Sequence, residues 1–318
     1  MKKELDRTST ARAGAEIIVS RFFTRLNQYM RTGKQNPAWF AMFTLGRFVV
    51  FRNLASRIRS SHRPSILNNN PTSFPNLSCE AIASSVRDEG VCLGINLPSD
   101  VIEQVLSFAE SNACFANSDK TKPILVSRKG MFSRTGETVV IGDYHDQIFN
   151  CRAIRALCTD GMLMRIAEEY LDARPQLTRS RLWWSFIAPQ ASQQEYYTFS
   201  QGAFHFDIDD WKCVKFFFYL TEVDEQAGPH RFIRHSHRRR KLRHQFTLFK
   251  GQSLKSLEKV YPPEAFLTIT GPAGFGFAED PFGFHTGTSV QARPRLMLEV
   301  EYGVTRLPVA GCYGAPLS

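Results

Sequence analysis

The stretch AFHFDIDD, residues 203–210, decides how the fold of this chain is interpreted. It alternates apolar and polar residues, which predicts a β-strand whose two faces differ. His205 and Asp207 are two positions apart, so their side chains point to the same side of that strand. Two polar groups buried side by side cost free energy unless they are satisfied. Either they bond to each other and to the backbone, or they share a cation.

A third candidate metal ligand, His285, lies 78 residues after Asp207 in the strand-like segment DPFGFHTG. Two imidazoles and one carboxylate on one face of a metal form the facial triad of non-haem Fe(II) oxygenases. Three protein ligands leave room on the ion for a bidentate co-substrate and O₂. A lone His-x-Asp pair is a weak signal, but the distant histidine strengthens it. The pattern predicts that His205, Asp207 and His285 bind the metal and form the catalytic centre.

An arginine follows that histidine in TGTSVQARPRLMLEVEYG, residues 286–303. Arg295 begins a predicted strand whose alternate positions are apolar, and its guanidinium offers a planar fork for a carboxylate. It is the expected anchor for the distal carboxylate of 2-oxoglutarate. Arg293 is the competing choice, and Thr288 is a further candidate for co-substrate binding. The alternative is that both arginines form surface ion pairs with acidic residues of the same strand.

The second half of the chain differs from the first in its residue pattern. From residue 180 it consists of short runs rich in aromatic and β-branched residues, separated by Gly, Pro and Asp turns. Such spacing indicates an antiparallel sandwich or barrel. Helical patterns precede this region, so we expect helices to pack on one outer face of a β core at about residues 180–305. The predicted fold class is α+β, mainly β.

Positive charge is concentrated at the N-terminus. The net charge is +10, and residues 1–65 hold 13 basic against three acidic residues, so the remainder sums to zero. We expect a basic amphipathic helical extension at 1–65, a polar linker at 66–79 and one catalytic domain at 80–318. Apolar residues at helical spacing with arginines between them, within 12–59, fit a helix lying on an anionic membrane surface. The alternative is a helix that packs on the main domain or on a second subunit.

The remaining composition limits the partners and the compartment. A neutral main body without a recognised nucleic-acid motif argues against nucleic-acid binding. Seven scattered cysteines without a CxxC pair favour a reducing compartment. No signal-peptide pattern opens the chain, and no apolar run reaches the ~18 residues of a membrane span. We therefore expect a cytoplasmic protein, peripheral to the inner face of a membrane if the N-terminal helices bind there.

The chain resembles the phytanoyl-CoA dioxygenase family in four ordered segments: FHFDIDD, FFFYLTEVDEQAGPHRFIRHSH, GPAGFGFAEDPFGFHTG and RPRLMLEVEYG. The likeness covers about residues 80–310. It implies a double-stranded β-helix (jelly-roll) core, with Fe(II) on His205, Asp207 and His285 and 2-oxoglutarate on Arg295. One departure is His235, where the family usually has glycine, which affects the expected turn and not the metal site.

The resemblance implies a reaction. An unactivated C–H bond would be hydroxylated with O₂, and 2-oxoglutarate would become succinate and CO₂. The basic N-terminus and the basic loop 231–243 favour an anionic substrate, such as a lipid-linked molecule, a glycolipid or an acyl thioester. The loop could equally be a solvated basic surface. The competing hypothesis is a non-catalytic β-barrel binding or scaffold protein, docked to a membrane by its basic N-terminus.

Overall fold

The computed structural model describes residues 33–34, 36–59, 70–128, 130–131, 137–245 and 251–305. Residues 12–31, the first part of the amphipathic segment predicted within 12–59, lie outside these residues. Their helices are α1 (Pro37–Leu45), α2 (Val49–Arg59), α3 (Cys79–Glu89), α4 (Ser99–Ser111), α5 (Arg152–Cys158), α6 (Gly161–Leu171), α7 (Gln193–Thr198), α8 (Leu242–Gln245) and α9 (Leu254–Glu258), with 3-10 turns at His145–Asn150 and Pro263–Ala265. Their strands are β1 (Val91–Leu93), β2 (Cys114–Ala116), β3 (Pro123–Ile124), β4 (Val126–Ser127), β5 (Gly130–Met131), β6 (Ile141–Asp143), β7 (Gln176–Ser185), β8 (Cys213–Tyr219), β9 (His230–Ile233), β10 (Phe266–Ile269), β11 (Gly276–Glu279), β12 (His285–Gly287) and β13 (Arg295–Gly303).

Two antiparallel sheets form the body of the protein. The large sheet has eight strands in the order β1-β11-β8-β13-β7-β6-β2-β3, and the small sheet has the order β10-β9-β12. Residues 204–205 extend the small sheet, because His205 and His285 exchange two backbone hydrogen bonds of 2.9 Å. From β7 to β13 the chain passes back and forth between the sheets, as in a double-stranded β-helix. The expectation of a mainly β, antiparallel fold with helices is confirmed.

The large sheet is buried on both faces. Phe216 and Phe218 of β8 face the core shared with α3 to α6, whereas Phe217 and Tyr219 face the space between the two sheets. Burial on both faces explains why this strand reads as the nearly continuous apolar run CVKFFFY. Its one charged residue, Lys215, also points between the sheets, because it shares the odd parity of Phe217.

A second helical layer covers the outer face of the small sheet. Helix α1 begins at Pro37, and the side chain of Asn36 caps it by accepting a hydrogen bond from the Trp39 backbone N–H. The buried face of α1 packs on the aromatic residues that alternate with or precede the candidate ligands. This cluster contains Trp39, Met42, Phe43, Phe204, Phe206, Phe282 and Phe284.

This layer differs from the expectation that helices cover one face of the β core. Phe204 and Phe206 point away from the side chains of His205 and Asp207, so their outer face needs apolar cover. Helix α1 supplies that cover. Of the two interpretations of 12–59, the described residues of α1 therefore show packing on the main domain. Among the described residues, no helix is long and apolar enough to cross a bilayer.

Helix α2 is tied to the same layer by a buried ion pair. Arg52 lies 3.3 Å from Asp280 and places its guanidinium 3.9 Å from the centre of the Phe282 ring. Asp280 also accepts hydrogen bonds from the Tyr170 hydroxyl and from the Phe282 backbone. Burial raises the pKa of Asp280, but Arg52, together with His237 and the hydrogen bonds from Tyr170 and Phe282, outweighs this effect and holds the pKa below its usual value. The N-terminal segment is thus anchored to the loop that leads to His285.

The described part of the predicted linker, residues 70–78, also packs on the domain. Phe74 is buried in the core of the large sheet. The Asp160 carboxylate accepts hydrogen bonds from Thr72 Oγ1 (2.9 Å) and the Ser73 backbone (2.6 Å), and it caps α6 through the Met162 N–H. Thr72 and Ser73 therefore hold this polar segment against the start of α6, and the boundary itself stays a prediction.

The docking of α1 can be tested by a stability measurement. Met42 is 0 % exposed beneath α1, so Met42→Ala should lower the free energy of unfolding by about 2 kcal/mol or more, from lost burial and a residual cavity. Leu45, on the same helix and 39 % exposed, is the matched control, and Leu45→Ala should change it by about 0.5 kcal/mol or less. Urea denaturation measures both. Equal, small losses would contradict the packing of α1 on the small sheet.

Candidate metal centre

The three side chains predicted as metal ligands come together between the sheets. His205 pairs with His285, the first residue of β12, where residues 204–205 extend the small sheet. Asp207 follows two residues later, outside any described strand, and its backbone N–H donates a hydrogen bond of 2.8 Å to the Pro281 carbonyl. One ligand atom from each lies within 4.8 Å of the others, and no other group of this kind was found among the described residues. Asp207 Oδ2 is 3.5 Å from His285 Nε2, and the two imidazole ring centres are 4.4 Å apart. This cross-strand pairing joins positions that are 80 residues apart in sequence.

Backbone carbonyls set the orientation of both imidazoles. His205 Nδ1 lies 3.1 Å from the carbonyl of Ala203, and His285 Nδ1 lies 3.0 Å from that of Gly283. Because a carbonyl only accepts, each Nδ1 carries a proton, and Nε2 is the nitrogen of each ring that is placed to bind a metal. Metal-binding histidines are typically oriented in this way by a partner on the other ring nitrogen. The donor set, two imidazoles and one carboxylate, therefore fits a ferrous ion.

A buried carboxylate that the sequence analysis did not single out lies behind His285. Glu279 Oε2 accepts a hydrogen bond of 2.8 Å from His230, and Glu279 Oε1 is 3.8 Å from His285 Nδ1. Burial raises the pKa of Glu279, but the two histidines outweigh this effect and lower it, so the group is an anion. Burial lowers the pKa of His285, but Glu279 and Asp207 outweigh it and raise that pKa. In the sequence, the only sign of this residue was its acidic side chain within the mostly apolar run GFGFAED.

The charge of Glu279 should strengthen metal binding. Glu279→Gln keeps a similar shape but removes an anion beside His285, so we expect Mn²⁺, a redox-inert probe, to bind about tenfold more weakly. Glu301→Gln is the matched control, because it alters a buried carboxyl group that lies 3.5 Å from the Lys215 ammonium and outside the group of converging ligand atoms. Calorimetric titration measures both affinities. If the Glu279→Gln variant and the wild type bound Mn²⁺ with equal affinity, the charge of Glu279 would have no role in metal binding.

Lys215 holds the candidate carboxylate ligand from the other side. Its ammonium lies 2.7 Å from Asp207 Oδ2 and 3.0 Å from Asp209 Oδ2, with Glu301 at 3.5 Å. Burial lowers the pKa of Lys215, but Asp207, Asp209 and the glutamates of β13 outweigh it and raise that pKa well above its ordinary value. Lys215 is therefore a cation that orients Asp207 by a charge-assisted hydrogen bond.

Arg295 is buried close to the same centre. It is 3 % exposed, and its Nη2 donates a hydrogen bond of 3.1 Å to Ser185 Oγ. Its Nε and Nη1 have no hydrogen-bond partner, and among the described residues no carboxylate lies within ion-pair distance of it. Burial lowers the pKa of Arg295, and a buried guanidinium with unsatisfied N–H groups costs free energy until an anion arrives. The site therefore fits the carboxylate of 2-oxoglutarate.

The position of Arg295 relative to the ligands follows from β12. A Cβ built on Gly287 would lie 3.7 Å from Arg295 Nη2, and Gly287 shares the face of His285 because the two are two residues apart on one strand. Two residues along a strand span about 7 Å. The arginine and the ligands thus face one space. Gln201, whose buried Oε1 has no described hydrogen-bond partner, lies beside Gly287, and no sequence pattern had marked it.

The other two co-substrate candidates lie in different surroundings. Arg293 is 44 % exposed and pairs with Asp224 at 2.6 Å and Glu222 at 3.4 Å, so its charge is used at the surface. The hydroxyl of Thr288 donates a hydrogen bond of 2.9 Å to the carbonyl of Pro229. Thr288 therefore fastens the end of β12 to the residue before β9, and its oxygen remains an acceptor only.

Comparison with known proteins gives a fold and no family. No protein-family model matches the chain, and no curated protein sequence matches it. Among solved structures, it is similar to SnoN, described as a non-haem α-ketoglutarate-dependent epimerase from nogalamycin biosynthesis. The TM-score is 0.51 at 16 % identity, over 76 % of this chain and 95 % of that one.

A second similar structure is SnoK, described as a non-haem α-ketoglutarate-dependent carbocyclase from the same biosynthesis. The TM-score is 0.50 at 14 % identity, over 79 % of this chain and 97 % of that one. At such low identity the likeness shows the fold alone, and the resemblance to the phytanoyl-CoA dioxygenase family stays a prediction. The chain shares the overall fold of SnoN and SnoK.

Proposed function

We propose that this protein is an Fe(II)- and 2-oxoglutarate-dependent oxygenase. The observation that supports it best is the convergence of His205, Asp207 and His285, within 4.8 Å, in one space with the unsatisfied guanidinium of Arg295. When bound, the ferrous ion would supply the activation of O₂ that couples oxidation of the substrate to conversion of 2-oxoglutarate into succinate and CO₂. The fold, shared with two enzymes described as α-ketoglutarate-dependent, agrees with this assignment.

The residues of the chain have separate tasks in this proposal. His205, Asp207 and His285 would hold the ion, and three protein ligands would leave it able to bind the co-substrate and O₂. Arg295 binds the distal carboxylate of 2-oxoglutarate through its unsatisfied N–H groups, and Ser185 fixes the direction of the guanidinium. The enclosing sheets limit access of bulk water, which strengthens these charge interactions.

We propose hydroxylation of an unactivated C–H bond as the outcome. SnoN and SnoK are described as an epimerase and a carbocyclase, so the fold accommodates more than one outcome with this co-substrate. Hydroxylation is favoured by the motif resemblance over residues 204–302. Profiling of metabolites and lipids in a deletion strain should reveal a product heavier than its precursor by one oxygen. A product isomeric with its precursor would instead indicate an epimerase.

The proposed substrate is anionic and is a lipid-linked molecule, a glycolipid or an acyl thioester. Support comes from the loop after β9, in which Arg238, Arg239, Lys241 and Arg243 are exposed. Such cations suit phosphate or carboxylate groups. Arg240 of the same run does not contribute, because it is buried against the rings of Phe282 and Phe284.

Succinate formation tests the proposal. Purified protein with Fe(II), 2-oxoglutarate and O₂ should form succinate, and the rate should rise when the prime substrate is added. The competing hypothesis of a non-catalytic scaffold predicts neither succinate nor stoichiometric iron. Absence of both, in protein shown to be folded, would reject the oxygenase.

A further inference from the structure

Two segments that the sequence analysis treated separately are neighbours in the structure. The backbone N–H of Val49, at the start of α2, donates a hydrogen bond of 3.1 Å to Gln245 Oε1 of α8, 196 positions away. The guanidinium groups of Arg52 and Arg240 both lie 3.9 Å from the centre of the Phe282 ring. Helix α2 and the basic loop before α8 therefore form one continuous surface, which we call the α2–α8 face (residues 49–54 and 238–245).

This face exposes large apolar side chains on one side of α2. Val50 is 74 % and Leu54 is 52 % exposed, and Phe51 is exposed between them. Positions 50, 51 and 54 lie on one side of a helix, opposite the buried Arg52. Across the junction, Leu242 of α8 is 66 % exposed. Exposed apolar side chains gathered in this way mark a contact surface more often than scattered ones do.

The exposed charged residues of the α2–α8 face itself are all cations. Lys241 and Arg243 flank Leu242 and are exposed, as is Arg239. Within the described part of the chain, no carboxylate lies within ion-pair distance of these three. Arg238 differs, because it pairs with Asp88 at 3.2 Å. An apolar stripe bordered by cations is complementary to a surface that is anionic outside and apolar beneath.

Charge also argues against the other candidate occupants. The first 32 residues hold seven basic and three acidic side chains, so laying that segment on the face would bring like charges together. A second copy of the chain docked through the same face would oppose the same cations to each other. An anionic bilayer brings neutralising charge and accepts the apolar side chains.

We propose that the α2–α8 face is a docking surface for anionic membranes, formed jointly by Val50, Phe51, Leu54 and Leu242 and by the cations around α8. The inference does not depend on the oxygenase chemistry. The face lies against Phe282, three residues before His285. Docking would therefore leave only the layer of aromatic residues around Phe282 between the candidate centre and the lipid.

Vesicle flotation of the full-length protein tests the proposal. It should bind vesicles of equal parts phosphatidylglycerol and phosphatidylcholine at least about tenfold more strongly than pure phosphatidylcholine, with the difference reduced by salt. Lys241→Gln with Arg243→Gln should weaken binding to the anionic vesicles about 30-fold, at roughly fivefold for each cation. Val50→Gln with Leu54→Gln should weaken it about tenfold, from lost apolar insertion.

Matched controls separate docking from general effects. Lys120→Gln with Arg152→Gln removes two exposed cations elsewhere, and Leu93→Gln with Leu125→Gln removes two leucines that are 40 % and 44 % exposed elsewhere. Both control pairs should bind vesicles as the wild type does. Equal losses in test and control pairs would overturn the proposal.

Two further outcomes would assign the face to another occupant and would also overturn the proposal. A change from dimer to monomer without a change in vesicle binding would indicate a second copy. A lower unfolding temperature of Val50→Gln with Leu54→Gln, again with unchanged vesicle binding, would indicate cover by the protein's own chain. Succinate formation in solution should be unchanged in Val50→Gln with Leu54→Gln and in both control pairs, so failure of docking and failure of the oxygenase assignment are distinguishable.

Discussion

Replacement of His205 by alanine is expected to abolish succinate formation and to weaken metal binding by more than about 100-fold. Even the loss of a group that only orients a metal ligand costs 10-fold to about 100-fold, and His205 is proposed to contact the ion itself. Asp207→Ala should have the same effect, because it removes the anionic ligand of the three. Each variant removes one of the three side chains whose ligand atoms lie within 4.8 Å of one another.

Asp209→Ala is the matched control for Asp207→Ala. Both carboxylates contact the Lys215 ammonium, at 2.7 and 3.0 Å, but Asp209 is outside the group whose ligand atoms converge. Each variant therefore removes one anion that contacts Lys215. Of the two, only Asp207→Ala also removes a proposed metal ligand. Metal content, Mn²⁺ affinity and succinate formation should separate the two variants. Succinate formation by His205→Ala at the wild-type rate would refute the assignment of the centre.

Replacement of Arg295 by leucine is expected to raise the KM for 2-oxoglutarate by about 100-fold or more. Removing one partner of a buried, hydrogen-bonded charge pair costs about 2–5 kcal/mol, and each 1.4 kcal/mol is a factor of ten in affinity. Arg295→Lys should recover part of the affinity, since it restores the charge without the planar fork. Arg293→Gln is the control, and it should leave KM near the wild-type value because Arg293 pairs with Asp224 at the surface.

A stability measurement distinguishes this role from a structural one. Without 2-oxoglutarate, the buried guanidinium of Arg295 has two nitrogen atoms without partners, so Arg295→Leu should not lower the free energy of unfolding and should tend to raise it. 2-Oxoglutarate with Mn²⁺ should raise the unfolding temperature of the wild type and not that of Arg295→Leu. A large KM change in Arg293→Gln, with none in Arg295→Leu, would place the anchor elsewhere.

The sequence could predict that the side chains of His205 and Asp207 point the same way, because the alternation of side chains along an extended chain is a local property. Two residues at a spacing of two share a face in any β-strand, whatever surrounds it. The same parity placed Arg295 opposite the apolar positions of its strand, which pack under the helices. Parity could not choose between Arg293 and Arg295, since both have the same parity. That distinction depends on which residue the sheet encloses and which one meets Asp224 at the surface.

The sequence could not predict the roles of Glu279 and Lys215, because these roles depend on contacts between distant strands. Glu279 is one acid among 30, and only the pairing of β11 with β8 and the approach of β12 bring it beside His230 and His285. Lys215 is likewise one charged residue in an apolar strand until Asp207 and Asp209 are placed against it. Their burial also sets their protonation, which no local pattern contains.

The amino-acid sequence by itself determined the β-rich class of the second half, the basic N-terminus and the choice of His205, Asp207 and His285 as candidate ligands. Each of these rests on composition or on short-range periodicity. Only the tertiary structure decided that α1 packs behind the small sheet, that α2 joins the loop before α8, and that Arg295 is buried while Arg293 is not. The physical reason is that burial and electrostatic partners arise from long-range packing, which periodicity along the chain does not contain.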